Sequence, residues 1–179
     1  MYHKEQVTAI GFLEYSLILG KVNTMKAIPT LYDWAGGMPV FENLMMRFYD
    51  KVLLDPLLEP VFKHMSANHR LHVAHFFAEV FGGPAFYSTS EGSHFKMIQH
   101  HIGKHLTEAH RKQWILLLIE TADELELPDD PEFRSAFMAY VEWGTRLALI
   151  NSNLEEVQAA EDEPMPKWGW GVPGGPYLG

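Results

Sequence analysis

After Met25 the apolar residues recur almost throughout at three- and four-residue intervals, and no stretch alternates apolar with polar side chains as a half-buried strand would. That periodicity restricts the chain to helices packed on helices. The segment "GMPVFENLMMRFYDKVLLDP" (37–56) sets Val40, Leu44, Phe48 and Val52 on one stripe, with Phe41 and Met45 beside them. Pro39 suits its first turn, and Asp55-Pro56 closes it. A second helix, capped by Ser66 or Asn68, carries Leu71, Val73, Phe76, Phe77 and Val80 and stops at "FGGP" (81–84). A loop from Tyr87 to Ser93 leads into a short histidine-bearing helix ending near Gly103. Thr107 caps the long helix "EAHRKQWILLLIETADEL". The last helix, 131–152, repeats Phe133, Phe137, Tyr140 and Leu147 on one side. The fold class is all-α.

At 179 residues and 47% hydrophobic, the chain can bury one sizeable core and carry extensions. The boundaries read as an N-terminal extension (1–27), a helical domain (28–153) and a tail (154–179) that is acidic, then rich in Pro, Gly and Trp. The tail reads as non-globular, although Trp168, Trp170 and Tyr177 can fold back onto the surface. A formal charge of -9 without a basic cluster argues against a nucleic-acid partner. The absence of cysteine excludes disulfides, thiolate ligation and covalent haem attachment through Cys-x-x-Cys-His, and suits a cytoplasmic setting. The apolar run "VTAIGFLEYSLILG" (7–20) contains Glu14, is too short to span a bilayer and lacks a small-residue cleavage site. Neither a membrane anchor nor a signal peptide is expected from it. Met25 opens the globular pattern and is a candidate start.

Eight of the ten histidines fall in two runs, 63–77 and 94–106. Two chemistries compete for them. His69 with His72, and His101 with His105, have helical spacing and can be drawn as a zinc or other non-haem metal site across two helices. Alternatively one imidazole suffices, if a flat apolar macrocycle lies in a slot between helices. For that slot the sequence offers Met97, Ile102 and Leu106 on one side. Val73, Phe76 and Phe77 stand on the other, with Leu53, Val61 and Phe62 at the corner. Such a stripe is also what an ordinary helical core looks like.

The order of several segments goes further: "WAGG" (34–37), "RFYDKVLLDPLLEPVF" (47–62), "HRLHVAHFFAEVFGGPAFY" (69–87), "HHIGKHLTEAHRKQW" (100–114) and "WGTRLALINS" (143–152). Together they resemble the group II truncated haemoglobins over residues 28–153. The resemblance implies a globin-like two-over-two helical sandwich holding non-covalent haem b. It places the iron ligand on His101, thirteen residues before Trp114. Counting from Gly-Gly-Pro reaches His100 in some relatives, but a loop absorbs an extra residue more easily than a helix absorbs a slip. The distal tyrosine falls on Tyr49, thirteen residues before the haem-wedging Phe62. His69 and Val73 fall on the distal helix, and Trp114 on the tryptophan that marks the group. His72, His100 and Tyr87 are candidates for the propionates. The remaining histidines, His64, His75, His94, His105 and His110, read as solvated or rim residues.

The resemblance implies reversible binding of dioxygen, nitric oxide and other diatomics at a five-coordinate iron. Tyr49 and Trp114 are the donors, and His69 is a third polar group, at the frayed start of its helix and free to swing outward. An oxidoreductase activity, dioxygenase-like or peroxidase-like, fits beside ligand binding and requires a reductase as electron donor. An imidazole rather than a thiolate ligand does not favour strong O–O cleavage. The oligomeric state is open.

Overall fold

The computed structural model describes residues 27–171 and 175–176; the apolar run 7–20 and Met25 lie outside them. Seven helices are described: α1 (Leu31–Ala35), α2 (Met38–Val52), α3 (Glu59–Phe62), α4 (His69–Val80), α5 (His94–Gln99), α6 (Glu108–Glu124) and α7 (Pro131–Ser152). A single π-helical turn, Tyr87–Glu91, precedes α5, and no strand occurs among the described residues. The all-α expectation holds. Helix α2 packs on α4 and α6, and α6 packs on α7, as a two-over-two sandwich.

The stripe read on α2 forms the centre of this packing. Phe41, Leu44, Met45, Phe48, Tyr49 and Val52 are all buried, at the i, i+3, i+4 spacing one helix face requires. Opposite them lie Val73, Ala74, Phe76, Phe77 and Val80 from α4, Leu118 and Ala122 from α6, and Phe133, Phe137 and Tyr140 from α7. Each such large side chain contributes about 1.5–3 kcal/mol by leaving water, so the core alone can hold four helices together.

Local signals set the helix ends. Thr107 accepts from the His110 amide, and the His110 ring answers the Thr107 amide at 3.1 Å, a reciprocal cap with histidine in the usual glutamate position. Asp130 caps α7 by accepting from the Phe133 amide at 2.9 Å, and its other oxygen takes the Trp34 indole N–H of α1 at 2.8 Å. Helix α4 lacks the side-chain cap expected from Ser66 or Asn68: Asn68 is itself in helical conformation, so its side chain cannot reach back. Gly82 adopts φ +94°, and a Cβ on Gly83 would lie 2.8 Å from the Ala78 carbonyl oxygen and 2.6 Å from the Tyr32 ring. Only glycine lets the end of α4 touch α1 this closely.

The described part of the tail has no regular backbone, but it is not detached. The Trp168 amide donates to the Val80 carbonyl at 2.8 Å, and the Trp170 indole donates to the Pro29 carbonyl at 2.7 Å. Trp168 lies against Tyr140 (5.7 Å between ring centroids) and Trp143 (5.7 Å), and Trp170 meets Trp34 edge-on at 5.9 Å. His94 reaches the Pro164 carbonyl at 3.0 Å. Trp168 and Trp170 thus fold back as the sequence allowed, burying their rings on the helical body, while Tyr177 lies outside the described residues. We expect Trp168→Ala to lower the free energy of unfolding by about 2 kcal/mol, measured by urea titration; an unchanged midpoint would mean that the tail adds nothing to stability.

Candidate functional site

Helices α2, α3, α4 and α6 converge on one cluster of polar and aromatic side chains. Tyr49 is buried on α2, and its hydroxyl lies 3.0 Å from His69 Nε2 at the start of α4. The half-buried Phe62, last residue of α3, covers Tyr49 at 5.6 Å and His69 at 6.3 Å between ring centroids. Trp114 on α6 is wedged between Phe48, edge-on at 4.8 Å, and Phe77 at 6.5 Å. Val73 and Phe76 come after His69 along α4, both buried. The outward swing expected of His69 does not occur, because the Tyr49 hydroxyl gives its ring a partner inside.

Burial sets the electrostatics of this cluster. Desolvation raises the Tyr49 phenol well above its usual value, and the Trp114 indole and Arg70 only partly offset it. The proton therefore stays on oxygen, and Tyr49 remains a donor at any ordinary pH. Burial, aided by the charges of His100, His101 and His72, lowers His69 to about 4. His69 is neutral at pH 7.

An ion pair beside the Tyr49–His69 contact was not legible as part of the site. Arg70 binds Asp50 at 2.6 Å and the Met46 carbonyl at 3.1 Å, clamping α4 onto α2 one residue along from the Tyr49–His69 contact. The signal was present as two opposite charges, each next to a pocket residue. A sequence does not say that positions 49–50 and 69–70 lie side by side.

The other face is built on α5, which ends at Gln99 and not near Gly103; the left-handed backbone of Gly103 (φ +69°) and His105 (φ +49°) keeps the chain between α5 and α6 out of a helix. His101 lies in the turn after α5, half-buried, while His100 caps the helix and is exposed. His101 Nδ1 lies 2.8 Å from the Met97 carbonyl oxygen. A carbonyl only accepts, so Nδ1 carries the ring proton and Nε2 keeps a free lone pair. Burial, only partly opposed by that bond, holds the His101 ring below the usual imidazole range and hence neutral. A fixed, neutral imidazole with one open nitrogen is what a metal ligand requires.

Of the remaining candidates, Met97 is half-buried against the core, and His72 is half-buried on α4. Tyr87 is buried edge-on to Phe76 at 5.2 Å, and its phenol is pushed up to about 12 by burial and by Glu91 and Glu79. Three histidines read as solvated or rim residues have structural partners: His94 at the Pro164 carbonyl, and two more. His75 bridges Glu91 (2.7 Å) and Glu42 (3.4 Å), and His110 completes the cap of α6.

The donor set separates the two chemistries left open by the sequence. Zinc held by protein needs three or four side-chain ligands, and among the described residues no three His, Asp or Glu side chains converge to hold a metal ion. Haem brings four nitrogens of its own and asks the protein for one, and the free Nε2 of His101 meets that demand chemically.

A two-over-two helical fold with this site is that of a globin. Residues 30–142 match the bacterial-like globin family, and the chain belongs to it. The group 1 truncated hemoglobin GlbN of Nostoc commune is 33% identical over 89 residues, 43% of this chain and 75% of that protein. The hemoglobin of the thermophilic phototroph Chloroflexus aurantiacus is 26% identical, with TM-score 0.61 over 68% of this chain and 98% of that one. The group II truncated hemoglobin of Bacillus anthracis shares the fold at 19% identity, with TM-score 0.63 over 75% of this chain and 98% of its own. A haem cofactor and the binding of small diatomic ligands such as oxygen follow from the family. No helix among the described residues is long and apolar enough to cross a membrane.

The depressed His69 has a measurable consequence without haem. Its folded pKa of about 4 lies below the ordinary 6.5, so the unfolded chain binds the extra proton first as pH falls. Stability contributed by neutral His69 is full above about pH 6.5 and declines towards pH 4. Between pH 7 and 4.5 the apo protein should lose about 2–3 kcal/mol from this group. Urea titrations at both pH values on the parent and on His69→Leu measure it as the difference between the two losses; an equal loss in both chains would rule His69 out.

Proposed function

We propose that this chain binds haem b non-covalently through His101 and carries dioxygen or another diatomic ligand in the slot lined by Tyr49, Trp114 and His69. Redox turnover, nitric oxide oxidation or peroxide reduction with a separate electron donor, is the second activity of the same site. The observation that carries this reading is the His101 Nδ1–Met97 contact at 2.8 Å, which leaves one imidazole nitrogen free. Residues 28–153 form the haem domain in this reading, with 1–27 and 154–179 as extensions and a cytoplasmic setting. Trp114, packed into the pocket wall, supports a place in the group II branch.

When bound, haem supplies an iron that takes the diatomic ligand. The chain's own contribution is different. Met97 holds the His101 proton on Nδ1 and so leaves Nε2 unprotonated for a ligand bond. Phe62, Val73 and Phe76 exclude water from the slot. Tyr49 and Trp114 offer hydroxyl and indole donors to a ligand that gains negative charge, and neutral His69 orients the Tyr49 hydroxyl. His72, His100 and Tyr87 are the side chains offered to the propionates.

Titrating the full chain with haem tests the proposal. One equivalent should give a red protein with a Soret band that shifts on adding oxygen or carbon monoxide to the reduced form. Stoichiometric zinc uptake with no Soret band would overturn it.

A further inference from the structure

An unbroken file of aromatic rings runs from the pocket to the surface. Tyr49 touches Phe48 (4.9 Å), Phe48 touches Trp114 (4.8 Å), Trp114 touches Phe77 (6.5 Å), and Phe77 touches Tyr140 (5.4 Å). Tyr140 then meets both Trp143 (5.9 Å) and Trp168 (5.7 Å), which lie 5.7 Å from each other. Trp143 is 37% exposed and ends the file in water. We propose that the Trp143–Trp168 pair is a surface site of one-electron oxidation, connected to the haem pocket by these rings, where small phenolic donors are oxidised at the expense of peroxide.

The proposal rests on the haem reading above. Indoles and phenols are the side chains most easily oxidised, and contact between π-systems shortens each gap an electron must cross. Phe77 is too hard to oxidise to store a charge, but it fills the space between Trp114 and Tyr140. Burial keeps the Tyr140 phenol proton in place, so the oxidised state settles on the indoles. The tail supplies one of them, which gives the docking of Trp168 a use beyond stability.

The electrons and atoms balance. Hydrogen peroxide reduced in the pocket becomes two waters and consumes two electrons and two protons. Each electron leaves an indole of the pair, which releases its Nε1 proton to solvent and is left as a neutral radical. A phenol returns one hydrogen atom to it, so each peroxide converts two phenols into two phenoxyl radicals.

The test uses the full-length, haem-loaded protein, with the Soret band recorded first for every variant. Peroxide is added without a donor, the sample is freeze-quenched for electron paramagnetic resonance, and oxidised residues are mapped by peptide mass spectrometry. A tryptophanyl radical and oxidation at Trp143 and Trp168 are expected. The double variant Trp143→Phe with Trp168→Phe should keep the Soret band and lose that signal and most phenol oxidation. Phe77→Leu should lose the same signal with both indoles present. Oxidation confined to Trp114 or Tyr49, or a double variant that oxidises phenols as fast as the parent, overturns the proposal. A chain that takes up no haem overturns the haem reading itself.

Discussion

His101→Ala is expected to lose most haem binding, whereas His100→Ala keeps a near-normal Soret spectrum. The two neighbours differ in every property that matters to a ligand. His101 is half-buried, is held neutral by that burial, and has its Nδ1 proton committed to the Met97 carbonyl at 2.8 Å. His100 is an exposed helix cap. In the proposed site, haem without a His101 ligand would keep the apolar contacts of Phe62, Val73, Phe76 and Met97 and its propionate partners. Haem affinity should therefore fall by at least about tenfold to a hundredfold, the loss already seen for groups one step removed from a metal. Added imidazole should restore part of it by filling the emptied position. Haem titration followed at the Soret maximum decides, and a reversed pair of phenotypes would put the iron ligand one residue earlier.

The second large effect belongs to the distal donors. Tyr49→Phe and Trp114→Phe are each expected to raise the oxygen dissociation rate about ten- to a hundredfold, the worth of one hydrogen bond to a charged acceptor at 1.5–3 kcal/mol. Both side chains are fixed. Tyr49 is buried and keeps its proton, and Trp114 is wedged between Phe48 and Phe77. His69 acts through Tyr49, which it meets at 3.0 Å. His69→Ala should thus change the rate by less than roughly tenfold, and it should also alter ligand entry, since His69 stands with Phe62 at the start of α4. Flash photolysis and stopped-flow oxygen release on the three variants measure this. A His69 effect exceeding both others would make His69 the principal donor.

The five helices α2, α4, α5, α6 and α7 were legible in the sequence because apolar spacing is a property of the chain itself, whereas α1 and α3 are too short to show a period and were not read as helices. The buried face of α2 is the stripe read from Val40 to Val52, with Val40 only half-buried, and the bounds of α7 coincide with the last apolar run. Boundaries depending on backbone conformation were less legible, as at α5, where the turn begins at His100. Tyr49, Trp114 and His101 were placed by their spacing within a family pattern; spacing could not show that Met97 fixes the tautomer of His101. Pairings between distant positions were hidden altogether. Arg70 with Asp50, His75 between Glu42 and Glu91, and Trp168 on Tyr140 each need the tertiary fold to bring their partners together.

The Trp170–Pro29 bond spans 141 positions of sequence with a 2.7 Å contact. Residues 29 to 170 thus form nearly a closed loop. A short peptide joining residue 170 to residue 29, with new termini opened at the exposed Glu155–Glu156, would turn the Trp-rich segment into a leader that enters α1 directly. Joining ends that already meet removes configurations only from the unfolded ensemble. Closing this ring without a cut should therefore stabilise the fold and leave every interior contact as it stands.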